Sequence, residues 1–151
     1  MSVAEHGDGE ATPDSRGSAA YEEGVERLAG VVAAAVSSVD TEWEERLSDG
    51  LRAGLELLAS DPPLARLLLV ESLGATGEVR LARERSLTRL AEALRPPVEL
   101  TGGKPISVEI LRLQAHGLVS YASGRVLDGE AECLPEAHSA LVEYLLAGVK
   151  E

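Results

Sequence analysis

Apolar residues recur along most of this chain at the three- and four-residue spacing of amphipathic α-helices. Two proline pairs divide the pattern: Asp61-Pro62-Pro63 predicts the capped start of a helix, and Pro96-Pro97 predicts the end of one. We therefore expect an all-α, six-helix bundle, and the predicted helices span about 21–38, 41–60, 61–74, 78–95, 106–127 and 134–149.

Residues 1–19 do not share this pattern. They combine Gly, Ser, Pro and acidic residues with almost no large apolar side chain. A segment of that composition buries too little apolar surface to offset the entropy that it loses on ordering. We expect a disordered acidic tail over 1–19 and one helical domain over 20–151, which is a normal length for a single domain.

The fifth predicted helix carries two apolar stripes that lie about a third of a turn apart. One stripe contains Ile106, Ile110, Leu113, Gly117, Tyr121 and Gly124, and the other contains Val108, Leu111, Ala115, Leu118, Ala122 and Val126. The sixth helix is apolar over more than half of its circumference. One chain of this size is expected to cover one stripe, so the other favours contact with a second subunit.

A two-fold homodimer would cover the remaining surface if helices five and six of each subunit formed a four-helix bundle, with Gly117 and Gly124 allowing close backbone approach. The predicted interface residues are Ile110, Leu113, Gly117, Tyr121, Gly124, Leu134, His138, Leu141, Tyr144 and Leu145. The alternative is that helix one or the loop over 96–105 covers the second stripe within one chain.

Composition narrows the possible functions. The 151 residues include no Phe, one Trp and three Tyr, so the core must come from Leu, Val and Ala. A formal net charge of -12 opposes contact with nucleic-acid phosphates. The longest apolar run, 67–70, is too short to cross a bilayer, and no N-terminal segment has the pattern of a signal peptide. We expect a cytoplasmic protein that binds neither nucleic acid nor a membrane.

The sequence contains no recognisable catalytic, cofactor or metal motif. A nucleophile elbow, a phosphate-binding loop and a His-Glu-x-x-His pair are all absent. The single cysteine, Cys133, lies near Glu132 and Glu136, and nearby carboxylates disfavour a reactive thiolate. His138 lies on an apolar helix face, where a hydrogen-bonded histidine is a simpler interpretation than a metal ligand. We expect no enzyme activity, no metal and no cofactor.

Two charged residues are predicted on apolar helix surfaces. Glu71 shares one side of helix three with leucines, and Arg83 lies between Val79 and Leu87 on the buried side of helix four. A buried carboxylate needs a partner, and Arg83 is the predicted one. The pair is either a structural ion pair or a polar anchor in a ligand pocket. Trp43 likewise is either a core residue or the roof of a pocket.

Two segments resemble the C-terminal domain of TetR-family transcription regulators. Segment 43–73, WEERLSDGLRAGLELLASDPPLARLLLVESL, is similar to the helix pair found early in that domain. Segment 117–149, which contains LVSYASGRVLDGEAECLPEAHSALVEYLLAGV, is similar to its last two helices. The likeness covers about residues 20–150 and consists of helix lengths, Asp-Pro breaks and the placement of Leu and Ala.

The resemblance implies a domain that binds a small, mostly apolar effector inside the helical bundle and dimerises through its last two helices. It places the effector in a cavity between helices two, three, four and five. The residues expected to bind the effector are Trp43, Leu51, Leu55, Leu67, Glu71, Arg83, Leu90 and Gln114.

The helix-turn-helix headpiece with which that family reads DNA has no counterpart here. It needs three helices, and only the polar tail precedes Tyr21. We therefore expect the chain to bind an effector and dimerise without binding DNA. One alternative is a ligand-free interaction module that pairs with itself or with a full-length regulator. Another is a helical enzyme with an unrecognised site.

Overall fold

A computed structural model of the chain describes residues 13–36 and 42–147, with side chains from Arg16 onward. These residues contain no β-strand, so the all-α fold is confirmed for the described part. The helices are α1 (Pro13–Ala35), α2 (Trp43–Ser60), α3 (Pro62–Arg66, continued by Leu67–Glu71), α4 (Gly77–Ala93), α5 (Val108–Leu127) and α6 (His138–Ala147).

Helix α1 begins at Pro13, well before the predicted start at Tyr21. Proline is favoured at the first helical position, because its missing N–H would have no partner there. Ser18 is buried, and a Cβ at Gly17 would lie 3.3 Å from the side chain of Val79, so small residues let α1 pack against α4. The prediction of disorder is therefore wrong for residues 13–19, and residues 1–12 lie outside the described part.

Asp61 lies between α2 and α3, and its side chain also contacts α1. Its carboxylate accepts a hydrogen bond from the backbone N–H of Leu64 at 3.2 Å, which caps the first turn of α3 as predicted. The same carboxylate pairs with the guanidinium of Arg27 on α1. One side chain thus fixes the start of α3 and its position against α1.

The second half of α3 is a π-helical turn, Leu67–Glu71. The wider π turn rotates the residues that follow it relative to an α-helical wheel. Leu68 and Ser72 are buried, whereas Glu71 is exposed. The prediction that Glu71 lies on the buried side is therefore wrong, because it assumed an unbroken α-helix.

A 3-10 segment, Ala131–Ala137, precedes α6, so the helix starts later than predicted. A 3-10 helix has three residues per turn, which changes the face that each residue occupies. Leu134 is fully buried in the core of its own chain, and Leu141 and Leu145 are buried as well. These three leave almost no surface for a second subunit, so their placement at the dimer interface is wrong.

Helix α5 runs through the centre of the bundle and buries one of its two predicted stripes from Leu111 onward, whereas Val108 of that stripe is exposed. The buried residues are Leu111, Ala115, Leu118, Ala122 and Val126. Ile110, Leu113 and Tyr121 of the other stripe are exposed. Among the described residues, neither α1 nor the loop over 96–105 covers them, which removes the predicted alternative for that part of the chain.

Gly24 allows α1 to pack against α3, so a larger residue at this position should destabilise the fold. A Cβ there would lie 2.9 Å from Leu64 and 3.1 Å from Leu68, both buried, whereas a Cβ at Gly30 meets nothing within 4 Å. We expect Gly24→Ala to lower the free energy of unfolding by about 1–2 kcal/mol, because overpacking outweighs the gain in helix propensity. Gly30→Ala, the matched control, should raise it by about 0.5–1 kcal/mol.

Urea denaturation of both variants measures the difference. Equal stability of the two variants would contradict a tight contact between α1 and α3 at Gly24.

Asp61 makes part of the stability dependent on pH. The hydrogen bond from Arg27, followed by the one from the backbone N–H of Leu64, lowers the pKa of the Asp61 carboxyl below its usual range. A carboxyl with a lowered native pKa stabilises the fold above its unfolded pKa of about 3.9, and this contribution is lost as the pH falls through the native value. Wild type should therefore exceed Asp61→Asn in stability at pH 7, and the gap should close in strong acid.

Denaturant midpoints across this pH range test the prediction, with Asp128→Asn at the exposed end of α5 as the control. A gap between wild type and Asp61→Asn that persists unchanged into strong acid would refute it.

Candidate functional site

An apolar cavity of about 340 Å³ that is partly open to solvent lies between the helices of the bundle. Every helix contributes to its wall, and the residues there are Leu28, Val32, Val36, Trp43, Arg46, Leu47, Gly50, Leu51, Gly54, Leu55, Leu58, Leu69, Leu90, Ala93, Leu94, Leu118, Val119, Ala122 and Leu145. Arg46 is the one charged residue among them. A concave, largely apolar site with few polar groups is the usual form of a small-molecule pocket.

Helix α2 supplies the largest part of the wall through a single face. The lining residues between Trp43 and Leu58 follow one another at helical spacing, and two of them are glycines, at positions 50 and 54. A Cβ at Gly50 would lie 3.1 Å from the side chains of both Val32 and Val36. The glycine thus lets α1 approach α2 closely at one edge of the cavity.

The residues of α2 that line the cavity are more buried toward the C-terminal end of the helix than toward its N-terminal end. Leu55 and Leu58 are buried, as are their neighbours Leu118 and Ala122 on α5. At the other end of the helix, Trp43, Arg46 and Leu47 are only half-buried. The cavity therefore has a deep aliphatic end and an end near Trp43 and Arg46 that lies closer to solvent.

The structure places four of the eight predicted effector-binding residues on this wall: Trp43, Leu51, Leu55 and Leu90. The other four, Leu67, Glu71, Arg83 and Gln114, do not line it. The half-buried Leu67 packs against the main core instead. No ion pair joins Glu71 to Arg83 among the described residues, so that predicted pair is wrong.

Gln114 and Arg83 lie away from the cavity wall, and each interacts with a residue of another helix. The side-chain amide of buried Gln114 donates to the backbone carbonyl of Leu145 at 3.2 Å, which ties α5 to α6. Arg83 lies near Tyr21, where burial raises the pKa of the phenol and both the hydrogen bond with Ser86 and the charge of Arg83 oppose that rise.

Sequence reasoning missed Arg46, which is the one cation among the described residues of the cavity wall. A signal for it was available, since Arg46 lies three residues after Trp43 and four before Gly50, inside the apolar stripe of α2. Leu145 was assigned to a dimer interface but lies on the cavity wall. Val32, Val36 and Val119 were not singled out, because the sequence alone does not show which helices meet.

A second feature is an exposed apolar surface, here called the α5–α6 face. It consists of Ile110, Leu113, Gly117, Tyr121, Gly124 and Tyr144. Its four large side chains are 46, 70, 41 and 42% exposed for Ile110, Leu113, Tyr121 and Tyr144 respectively. Large apolar side chains grouped on one side of a protein are typical of an interaction surface.

Gly117 accommodates a side chain of its own subunit. A Cβ there would collide with the hydroxyl of Tyr144, and that hydroxyl donates to the backbone carbonyl of Leu113 at 3.3 Å. The close approach expected between two subunits at Gly117 is therefore made within the chain, because α6 lies beside α5. Gly124 has nothing within 4 Å of a Cβ position and remains open.

His138, also predicted at the interface, binds α2 instead. Its Nε2 lies 2.8 Å from the backbone carbonyl oxygen of Ser48 and 3.2 Å from the hydroxyl of the same residue. Because a carbonyl only accepts, Nε2 carries the proton and does not act as a base toward the Ser48 hydroxyl. The contact connects the start of α6 to α2.

The described residues contain no group of three or more His, Cys, Asp or Glu side chains that could hold a metal ion. Within the same ranges, no helix combines the length and the apolar character needed to span a membrane. Comparison with protein-family models, with curated proteins and with solved structures gives no match.

Proposed function

We propose that this chain is an effector-binding and dimerising domain of the kind found in TetR-like transcription regulators. The observation that carries the proposal is the apolar cavity of about 340 Å³ that the helices of an all-α bundle line. The likeness to the family rests on the sequence pattern, whereas the cavity supports ligand binding independently of that likeness.

The cavity is better suited to an apolar ligand than to water. A buried water needs two to four polar partners, and the wall is aliphatic apart from Arg46 and Trp43. A ligand that fills this space would bury its apolar surface at about 25 cal/mol per Å². Effector binding would therefore stabilise the folded chain.

Homodimerisation is the second part of the proposal, and the α5–α6 face supports it. In an isologous interface the same face of two subunits meets, so α5 and α6 of each copy would form a four-helix bundle. Leu113, which is 70% exposed, lies within this face between Ile110 and Gly117. The net charge of -12 opposes DNA binding by the chain itself.

A ligand-free interaction module is the alternative function. The α5–α6 face favours it, because that surface serves pairing with a copy or with another regulator whether or not the cavity is occupied. The first function requires a ligand in the cavity and the second does not, so ligand binding and self-association are tested separately.

If the cavity binds a ligand, some compounds in a panel of apolar molecules should stabilise the chain thermally. Each molecule in the panel should have up to about 14 non-hydrogen atoms. At a free concentration of about a hundred times its Kd, such a ligand adds about 2.7 kcal/mol and raises Tm by about 5–10 °C. Val119→Phe should abolish the shift by filling the cavity from α5. Val108→Phe, on the exposed start of the same helix, is the matched control and should retain it.

If no compound in the panel shifts Tm, or if Val119→Phe responds like wild type, the chain does not use this cavity as a ligand site. The interaction-module function would then be the better account.

Self-association through the α5–α6 face predicts that Leu113→Glu yields a monomer. Each substitution occurs twice in an isologous interface, so the dimer Kd should rise by roughly a hundredfold or more. Leu81→Glu on α4 replaces a leucine that is similarly exposed, at 59%, but lies outside the face, and it should leave the dimer intact. Analytical ultracentrifugation over a range of concentrations measures both; a wild-type chain that sediments as a monomer throughout would exclude the dimer.

A further inference from the structure

Gly54 is a buried glycine in the interior of α2 that the backbone does not require. Glycine in a helix interior is less favourable than alanine, because it loses more conformational freedom on folding. The φ angle of Gly54 is not positive, so its backbone conformation is open to any residue. Considered alone, the helix would therefore be more stable with alanine at this position.

Packing does not require glycine at this position either. A Cβ added at Gly54 would lie 3.5 Å from Val32 and 3.6 Å from Leu28, both on α1, and these are ordinary van der Waals distances. At Gly50, one turn earlier, the same addition would come within 3.1 Å of both Val32 and Val36. The contact between α1 and α2 thus needs a glycine at 50, whereas it has room for a methyl group at 54.

The space that Gly54 leaves open belongs to the cavity. Gly54 lines the cavity between Trp43 and the buried Leu58, and α5 contributes the short side chain of Ala122 to the same wall. A glycine allows a ligand to approach the helix backbone closely. A residue that widens a cavity although it lowers helix stability is typical of a functional position.

Only a wide ligand makes use of this space. A cavity of about 150 Å³ holds benzene, so the volume of about 340 Å³ corresponds to roughly twelve to fourteen non-hydrogen atoms. A slender alkyl chain would leave the space beside Gly54 empty, and alanine would then pack better there than glycine. A rigid ring with one edge against the backbone of α2 would fill the space.

We propose that Gly54 determines the specificity of the cavity, and that the ligand is a rigid, mostly apolar ring system that packs against α2 at this glycine. The inference rests on the proposed ligand-binding function and adds the shape of the ligand to it. A rigid ring loses little conformational entropy on binding, which also favours it over a flexible chain.

Calorimetric titration of the full chain with 2-naphthol and 1-decanol tests the inference. The two probes have the same number of carbon atoms and one hydroxyl group each, and they differ in width. We expect 2-naphthol to bind wild type, and Gly54→Ala to weaken its binding by about tenfold or more, because the added methyl group occupies space that the ring needs. The Kd of the slender 1-decanol should change by about twofold or less.

Gly30→Ala is the matched control, since Gly30 is exposed on α1 and a Cβ there meets nothing within 4 Å. Both variants should raise Tm by about 1–4 °C, because alanine is favoured over glycine in a helix. Gly30→Ala should bind both probes like wild type. The comparison separates the effect of helix propensity from the effect of cavity width.

A lower Tm for Gly54→Ala would show that packing needs this glycine and would overturn the inference. So would an equal effect of Gly54→Ala on the two probes, or binding of 1-decanol alone to wild type, and all three results leave apolar ligand binding standing. Binding of 2-naphthol alone, weakened in Gly54→Ala and retained in Gly30→Ala, supports the inference. Failure of both probes to bind wild type would count against the ring ligand and against ligand binding together.

Discussion

The contact between α1 and α2 at Gly50 is the packing constraint on which the rest of the bundle depends. With Val32 and Val36 only 3.1 Å from the position of a Cβ, glycine is the residue that lets these helices meet. The contact places α1 along one edge of the cavity and leaves the face of α2 opposite α4 and α5. The chain has no phenylalanine, and leucine, valine and alanine side chains leave a space between these helices.

Much of the fold could be predicted from hydrophobic spacing and from residues that start or stop helices. Asp61 with its two prolines marked a real helix start, and the two stripes of α5 have different surroundings. The cavity was harder to predict. Trp43, Leu51 and Leu55 follow from the apolar face of α2, but the valines of α1 reach the same space only through a tertiary contact that spacing does not encode.

The errors arise where the backbone departs from α-helical geometry. Glu71 is the last residue of a π-helical turn and Leu134 belongs to a 3-10 segment, so a wheel drawn at 100° per residue places both on the wrong side. Hydrogen bonding in the folded chain decides these local windings, and the residue pattern alone does not reveal them. Arg46 was missed for another reason, since a cation in an apolar stripe resembles an ordinary solvent-facing residue until a cavity is seen beside it.

Helix α6 connects the cavity and the α5–α6 face, the two features for which functions are proposed. Leu145 lies on the cavity wall, and the preceding residue, Tyr144, lies on the α5–α6 face. The described part of this helix has ten residues, and its contacts with α5 include the hydrogen bond from Gln114 to the carbonyl of Leu145. The two residues are consecutive, so one turn of α6 contributes both to the cavity wall and to the exposed face. A substitution in this turn of α6 would therefore alter the interior wall and the outer surface together.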